Sequence, residues 1–251
     1  MKRIFWNITA LFFVFFILTF EFEYSVIPNF FLFLNPFFES LVSFSGTFLF
    51  GLESGFSSSI SSDSIGLYLH VFNLILISIT MGLIMELISK NKKVNLRLYL
   101  LKILTYYLSL QLLIYGLDKV FKAQFFLPEP NTLFTPLKDL SKDILYWSTI
   151  GVSRSYSLFL GMAEVLTALL LLFKKTRLLG IIMGVGILIN VVAINLSFDI
   201  SVKIYSLFLL AGFIVLLTPY FGFLYQIFIQ QKPAIFSVEN NLLLLFLYSI
   251  I

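Results

Sequence analysis

The 251-residue chain is 59% apolar and only 12% charged, which places it outside the range of soluble domains, where about 25% of residues carry charge. Its net charge of +4 does not indicate a nucleic-acid partner, because the basic residues form short clusters between apolar segments, where they set membrane topology. With no cysteine and one histidine, His70, the chain can hold no disulfide or thiolate metal site, and we expect no metal centre.

Six apolar segments are predicted to cross the membrane as helices, the first of them as an uncleaved N-terminal span. They cover residues 1–20, 65–88, 98–118, 154–173, 178–196 and 204–218. Between the first two, residues 21–64 contain acids but no lysine or arginine. The phenylalanine-rich runs 30–38 and 41–52 in this region are typical of interfacial or re-entrant pieces. A short surface helix is predicted around residues 137–147.

The basic clusters predict the orientation of these spans. Six spans place both termini on one side, and most of the 17 lysines and arginines fall on that side, which identifies it as the cytoplasm. These residues are Lys2, Arg3, Lys90, Lys92, Lys93, Arg97, Lys102, Lys174, Lys175, Arg177 and Lys232. We therefore expect an all-α, polytopic helical bundle of the cell membrane with both termini cytoplasmic.

The spans group into three predicted parts. Residues 1–97 hold two spans and the aromatic outer segment, residues 98–218 form a four-helix membrane unit, and residues 219–251 form a cytoplasmic or interfacial tail. The tail after Pro219 has three open interpretations: an interfacial anchor, a half-helix, or the stub of a longer homologue.

Glu164 is the most informative residue, because it lies about halfway along the fourth span. It lies ten positions after Arg154, which puts it about 15 Å deep in a hydrocarbon core about 30 Å thick. An ionised acid there costs roughly 2.5–3.5 kcal/mol, so it should face a protein neighbour or a wet cavity, or be protonated. Small residues, Gly161 and Ala168, share its face and allow another helix to approach. Glu164 therefore marks either a functional site or a polar contact that fixes helix packing.

Other spans carry polar residues that are predicted to converge with Glu164 in an outward-opening pocket. Their spacing puts several of them on single helix faces, and most lie in the outer half of the bilayer. Glu164 would be the floor, Tyr115 and Asn190 the wall, and the rim charges the mouth, unless those charges are merely solvated or paired at the interface. The predicted site residues are Glu164, Tyr115, Gln111, Lys119, Asn190, Asp118, Asn195, Asp199 and Lys203.

Two details of this pocket are testable in a structure. Glu164, Lys119 and Asn190 should surround one cavity. Tyr115 or Gln111 should be the nearest direct partner of Glu164, because Lys119 begins about one turn closer to the outer surface and would have to reach inward.

Three stretches carry a family resemblance: YGLDKVFKAQF, GMAEVLTALLLLFKKTRLLG and NVVAINLSFDISVKIYS. They resemble the DoxX-like membrane proteins, whose four-helix unit has a G-x-x-K end to its first helix, a G-x-x-E in its second and a basic turn before a glycine-containing third. The matching positions are Gly116 with Lys119, Gly161 with Glu164, and residues 174–177 with Gly180. The resemblance covers roughly residues 98–218. It implies a membrane unit sometimes associated with oxidoreductase complexes, including one that passes electrons from thiosulfate to quinone.

Two functions follow as hypotheses. The first is a membrane subunit that binds a quinone or another lipophilic small molecule through Glu164. It would not be catalytic alone, and would at most be a subunit of a membrane oxidoreductase. The second is a non-catalytic scaffold whose aromatic segment, residues 30–52, docks a membrane or envelope protein at a patch rimmed by Glu39 and Glu53. A transporter has less support, because no repeats or discontinuous helices are evident.

Overall fold

The computed structural model describes residues 2–20, 32–53, 56–88 and 95–231, and within these ranges its regular structure is helical, with no strand. Six stretches are long and apolar enough to span a membrane: α1, α3, α4, α7, α8 and the segment Lys203–Phe228, which contains α9 and α10. The all-α, six-span prediction is confirmed, and the chain is a multi-pass membrane protein. The helices are α1 (Lys2–Thr19), α2 (Asn35–Phe50), α3 (Ile65–Ile88), α4 (Arg97–Val120), α5 (Pro130–Phe134), α6 (Lys142–Val152), α7 (Arg154–Leu172), α8 (Arg177–Ser197), α9 (Lys203–Leu217) and α10 (Phe221–Phe228).

Side-chain caps fix where some of these spans begin. The Ser64 hydroxyl accepts a hydrogen bond from the Leu67 amide at 3.1 Å just before α3, and Ser153 does the same for the Tyr156 amide at the start of α7. Such caps satisfy amides that have no partner inside the helix.

The last span differs from its prediction. A 3₁₀ turn, Thr218–Tyr220, contains Pro219 and leads directly into α10, so the first part of the predicted tail is helical. Residues 232–251, with Lys232, lie outside the described residues, as do Lys90, Lys92 and Lys93.

The chain divides into two compact units, Met1–Leu100 and Leu101–Ile251, so that the division falls just inside α4. In the first unit α1 packs along α3, where Ile8 fills the space beside Gly82. Charged residues link these helices at one end. The Arg3 Nε donates a hydrogen bond to Glu86 Oε2 at 2.9 Å. The Arg97 guanidinium lies 4.4 Å from the Trp6 ring centroid at the same end.

Helix α2 crosses α3 at a steep angle. The Phe38 ring meets His70 at 5.2 Å, and the Phe50 ring meets Phe72 at 5.2 Å. These contacts are about 18 Å apart along α2 but only about 3 Å apart along α3, given a rise of about 1.5 Å per residue. Residues 41–50 of the predicted aromatic run 41–52 thus belong to a helix that lies across a span. Of the run 30–38, residues 30 and 31 lie outside the described ranges.

In the second unit four helices close into a ring, with small residues at their contacts. Gly116 of α4 lies against α7, Gly180 of α8 against Leu171 of α7, and Gly184 of α8 against Phe213 of α9. Gly212 of α9 completes the ring against Leu108 of α4. The segment 121–153, which contains α5 and α6, joins α4 to α7. We call the end of the unit that carries α6 the α6 end.

At the opposite end of this unit, Arg177 of α8 caps the C-terminus of α7. Its side chain is fully buried, its Nε donates to the Leu171 carbonyl at 3.2 Å, and Nη2 donates to the Leu172 carbonyl at 3.3 Å. These carbonyls belong to the last turn of α7 and have no partner within that helix. A cation here also opposes the partial negative charge of the helix C-terminus.

We expect Arg177→Gln to lower the free energy of unfolding by about 2–3 kcal/mol, because hydrogen bonds to a charged group are lost at a buried site. Unfolding in mixed detergent, followed by circular dichroism, measures the change. Lys175→Ala is the control, because Lys175 is exposed two residues away. Equal stability of both variants would contradict this role of Arg177.

Candidate functional site

The site is built on a close crossing of α4 and α7. A Cβ atom placed on Gly116 would lie 2.8 Å from the Gly161 carbonyl oxygen, and one placed on Gly161 would lie 2.6 Å from the Gly116 oxygen. Serine hydroxyls bridge the helices on both sides of this crossing. Ser109 donates to the Ala168 carbonyl at 2.6 Å, and Ser157 donates to the Lys119 carbonyl at 2.9 Å. Residue numbers rise along α4 as they fall along α7, so the two helices are antiparallel.

Lys119 and Glu164 form a buried ion pair beside this crossing. The Lys119 Nζ donates to Glu164 Oε2 at 2.7 Å, and the two residues are only 7% and 5% exposed. The acid at mid-span therefore faces a protein neighbour, as its cost in lipid requires. Such an ion pair is expected whether Glu164 belongs to a ligand-binding site or only fixes the packing of two helices.

The prediction that Tyr115 or Gln111 would be the nearest direct partner of Glu164 was wrong, because Lys119 is. Helical side chains lean towards the N-terminus of their own helix. Lys119 lies one turn beyond Gly116 and leans back towards the crossing, and Glu164 does the same from the other side on the antiparallel helix. Gln111, the alternative partner, has a buried Oε1 with no hydrogen-bond partner among the described residues.

Aromatic rings surround the Lys119 ammonium. Its Nζ lies 5.3 Å from the centroid of the Tyr115 ring and 5.8 Å from that of Phe125. Both distances allow a cation–π interaction, which strengthens where water is excluded. Phe125 is itself buried and packs on Trp147 of α6, with the ring centroids 5.3 Å apart. The predicted mouth residue Lys119 therefore lies beneath an aromatic cover.

Tyr146 of α6 belongs to the same aromatic cover, with its ring centroid 6.3 Å from that of Phe125. Burial, together with the charges of Tyr156 and Glu164, which oppose a phenolate, raises the pKa of Tyr146 to about 12. The hydroxyl is therefore protonated at neutral pH and is a hydrogen-bond donor. Its ring also meets Phe198 at 5.0 Å, just beyond the end of α8.

Two predicted site residues are buried amides with an unused polar atom. They are Gln111, through Oε1, and Asn195, through Nδ2, and each residue is less than 8% exposed. Buried polar atoms normally have a partner, and exceptions ask for an explanation such as an absent ligand or water. Both lie in the second unit, on α4 and α8.

Asn190 does not join Glu164, which corrects the prediction that these residues share one cavity. Asn190, Gly186 and Ala193 do form a stripe on α8, but all three are exposed, and a Cβ on Gly186 would meet no atom within 4 Å. The buried face of α8 instead carries Gly180, Gly184 and Asn195. The sequence indicated correctly that these residues share one face of α8, but that face points outwards and not towards Glu164.

We expect Asn190→Leu to change the free energy of unfolding by no more than about 0.5 kcal/mol, because substitutions at exposed positions away from a network have small effects. Detergent unfolding measures it. A loss of several kcal/mol would show that Asn190 has a buried partner after all.

The remaining predicted residues lie at the rim. Asp199 and Lys203 pair with each other at 2.7 Å, one turn apart, and the Asp199 side chain is 78% exposed. The hydrogen bond from Lys203 lowers the pKa of Asp199. Asp118 is half-buried, and its carbonyl oxygen accepts the Ala123 amide at 2.8 Å to end α4. The pairing of Asp199 with Lys203 agrees with the alternative in which the rim charges are paired at the interface.

Sequence reasoning missed Phe125, Tyr146 and a pair of phenols. The hydroxyls of Tyr107 and Tyr205 lie 2.9 Å apart, within the second unit. Aromatic residues in the polar segment 121–153 were the available signal, because a surface loop has no need of Phe125, Tyr146 and Trp147 unless they are buried.

Comparison with known proteins gives one family assignment. No family model matches the chain, and no solved structure matches it. Residues of the chain are 35% identical to YwoB, an uncharacterised protein of Bacillus subtilis (strain 168), over 111 residues. The matched region covers 44% of this chain and 70% of YwoB. At that identity and coverage, the chain belongs to the same protein family as YwoB.

Proposed function

We propose that this membrane protein binds a quinone, or another lipophilic small molecule with oxygen substituents, beside Lys119 and Glu164. The observation that carries the proposal is the buried ion pair with aromatic rings against its ammonium. Ligand sites are usually apolar pockets with a few convergent polar groups. Here the rings of Tyr115 and Phe125 supply the apolar surface, and the ion pair supplies the polar groups.

The chemistry of these groups suits a ring with carbonyl or hydroxyl oxygens. Lys119 and the protonated Tyr146 can donate to a carbonyl, and Glu164 can accept from a hydroxyl. A quinone supplies electron transfer when bound, whereas the chain's part is to bind and orient the headgroup. Catalysis would then belong to a partner subunit of a membrane oxidoreductase, which is also what the DoxX-like resemblance implies.

The distribution of basic residues supports an orientation with both termini in the cytoplasm of the cell. In that orientation the α6 end faces outwards, and the ligand reaches the site from the outer half of the membrane. The tryptophan on α6 then offers a direct probe of binding.

Quenching of Trp147 tests the proposal. The chain has two tryptophans, so Trp6→Phe leaves Trp147 as the one reporter, next to Phe125. Titration with a short-chain quinone should quench its fluorescence in a saturable way. Glu164→Gln in the same background should raise Kd about tenfold or more, since a charged hydrogen bond contributes about 1.5–3 kcal/mol. Asn190→Leu is the matched control and should leave Kd unchanged.

A second measurement identifies the natural ligand. Mass spectrometry of molecules that co-purify with the wild-type chain should find a lipophilic compound that is lost from Glu164→Gln. The same ligand profile from both proteins would remove Glu164 from the site. No saturable quenching by any quinone, together with no co-purifying compound, would contradict the proposal.

A scaffold function is the second candidate, and the exposed phenylalanines of α2 favour it. Phe37, Phe44 and Phe48 are each more than half exposed on the helix that crosses α3, beside the half-buried Glu39 and the exposed Glu53. Photocrosslinkers placed at these phenylalanines should trap a membrane or envelope protein. A monomer without crosslinks at native expression would count against this function.

A further inference from the structure

His70 lies in the first unit and has no part in the proposed function, and its hydrogen bonds fix its tautomer. Its Nε2 lies 2.7 Å from Thr19 Oγ1, and Thr19 Oγ1 also lies 2.7 Å from the Phe15 carbonyl oxygen. Two oxygens approach this closely only with a hydrogen between them. Because a hydroxyl has one hydrogen, Thr19 donates it to Phe15 and accepts from His70. The neutral ring therefore carries its proton on Nε2.

The other ring nitrogen is then a bare acceptor inside the protein. His70 is fully buried, and its Nδ1 has no hydrogen-bond partner among the described residues. The neighbouring Asn73 amide does not supply a donor, since its Nδ2 donates to Ser45 Oγ at 3.0 Å and makes no bond to His70 Nδ1. Phe38 of α2 packs perpendicular to the imidazole at 5.2 Å and offers it no polar atom.

The surroundings of His70 determine which donor would suit it. Among the described cations of the first unit, Arg3 and Arg97 are held by Glu86 and Trp6 near the other end of α3, and Lys2 is exposed beside Arg3. A charged donor at Nδ1 would have to be buried beside the imidazole, and burying a charge is costly. The fitting donor is therefore neutral.

The depth of His70 determines where such a donor can come from. His70 is the sixth residue of α3, about 8 Å from the start of that helix. At this depth, hydroxyl groups of lipid headgroups and water are within reach.

We propose that His70 Nδ1 accepts a hydrogen bond from a neutral hydroxyl group, supplied by a lipid headgroup or by an internal water, beneath the crossing helix α2. The steep crossing of α2 leaves its far face exposed, so the helix covers His70 without enclosing it in a larger core. The proposal does not rest on Lys119 and Glu164, and either site can fail without the other.

One histidine in the chain makes the test direct. The full chain, labelled with ¹⁵N-histidine in lipid nanodiscs, should give a single imidazole with Nε2 protonated and with the Nδ1 resonance shifted from that of a bare nitrogen to that of a hydrogen-bonded one. Cross-relaxation from headgroup protons to the donor proton identifies a lipid, and cross-relaxation from water identifies an internal water. Deuterated lipid in the nanodisc separates the two sources.

Two results would overturn the proposal: a bare Nδ1 resonance, or a proton on Nδ1 instead of Nε2. Thr19→Val provides an internal check on the reasoning. It removes the acceptor at Nε2, so the ring should lose its fixed tautomer and show exchange between both forms. Ser78→Ala, eight residues along α3, should leave the imidazole resonances unchanged.

Discussion

Replacing Lys119 by methionine, or Glu164 by leucine, should each lower the free energy of unfolding by about 3–5 kcal/mol, because one charge is left buried without its partner. The double variant should recover most of that loss, since apolar side chains of similar size can replace a buried ion pair at little cost. The loss in the double variant is then much smaller than the sum of the two single losses, which is the result expected for two residues in direct contact.

Reversible unfolding in mixed detergent measures all three variants in one double-mutant cycle. The pair formed by Asp199 and Lys203 is the control, because its carboxylate is 78% exposed and removal of an exposed charge should change the free energy of unfolding little. Additive losses in the double variant would contradict the buried pair and would place each charge in a wet environment of its own.

Gly161→Leu should separate α4 from α7 and is expected to cost about 3 kcal/mol. A Cβ at this position meets the Gly116 carbonyl at 2.6 Å and the Val120 side chain at 2.9 Å, and the backbone can yield only if the helices move apart. Such a movement also lengthens the distance between Lys119 and Glu164. The variant should therefore lose ligand binding together with stability.

Gly186→Ala is the matched control, since the added methyl group on α8 meets no atom within 4 Å. It should be neutral or raise stability by up to about 1 kcal/mol, because alanine favours the helix more than glycine does. Thermal unfolding of both variants, with the Trp147 titration on the folded fraction, provides the comparison. If Gly161→Leu were as stable as Gly186→Ala, the close crossing would be excluded.

The spans were predictable because each one is a long apolar run bounded by charged or polar residues. The bounds of α3, Ile65–Ile88, are those that the sequence indicated. Helix α7 ends one residue before the predicted end of its span, and α8 is one residue longer than predicted at each end. The last span was less predictable. Proline usually breaks a helix, so Pro219 suggested an end, but the chain in fact makes one tight turn there and continues as α10.

Rotation of each helix about its axis decided which site predictions held. Glu164 had to be buried because of the cost of its charge, and the glycine on its face indicated where a neighbour would approach. Asn190 carries no charge, so nothing in the sequence required it to face inwards, and it faces outwards. The partner of Glu164 was not predicted because sequence position gives the depth of the Cα atoms only, whereas a lysine side chain that leans along its helix can reach about one turn away.

The separation of Lys119 from Glu164 along the chain has a consequence for synthesis. The two residues are 45 positions apart, so Lys119 is synthesised before the carboxylate. At about 5–20 residues per second, the lysine waits for roughly 2–9 s. Lys119 is the next-to-last residue of α4, where its ammonium can extend to the interface during this interval. Glu164, at mid-span, cannot extend to the interface. Its partner Lys119 has already been synthesised when Glu164 enters the bilayer.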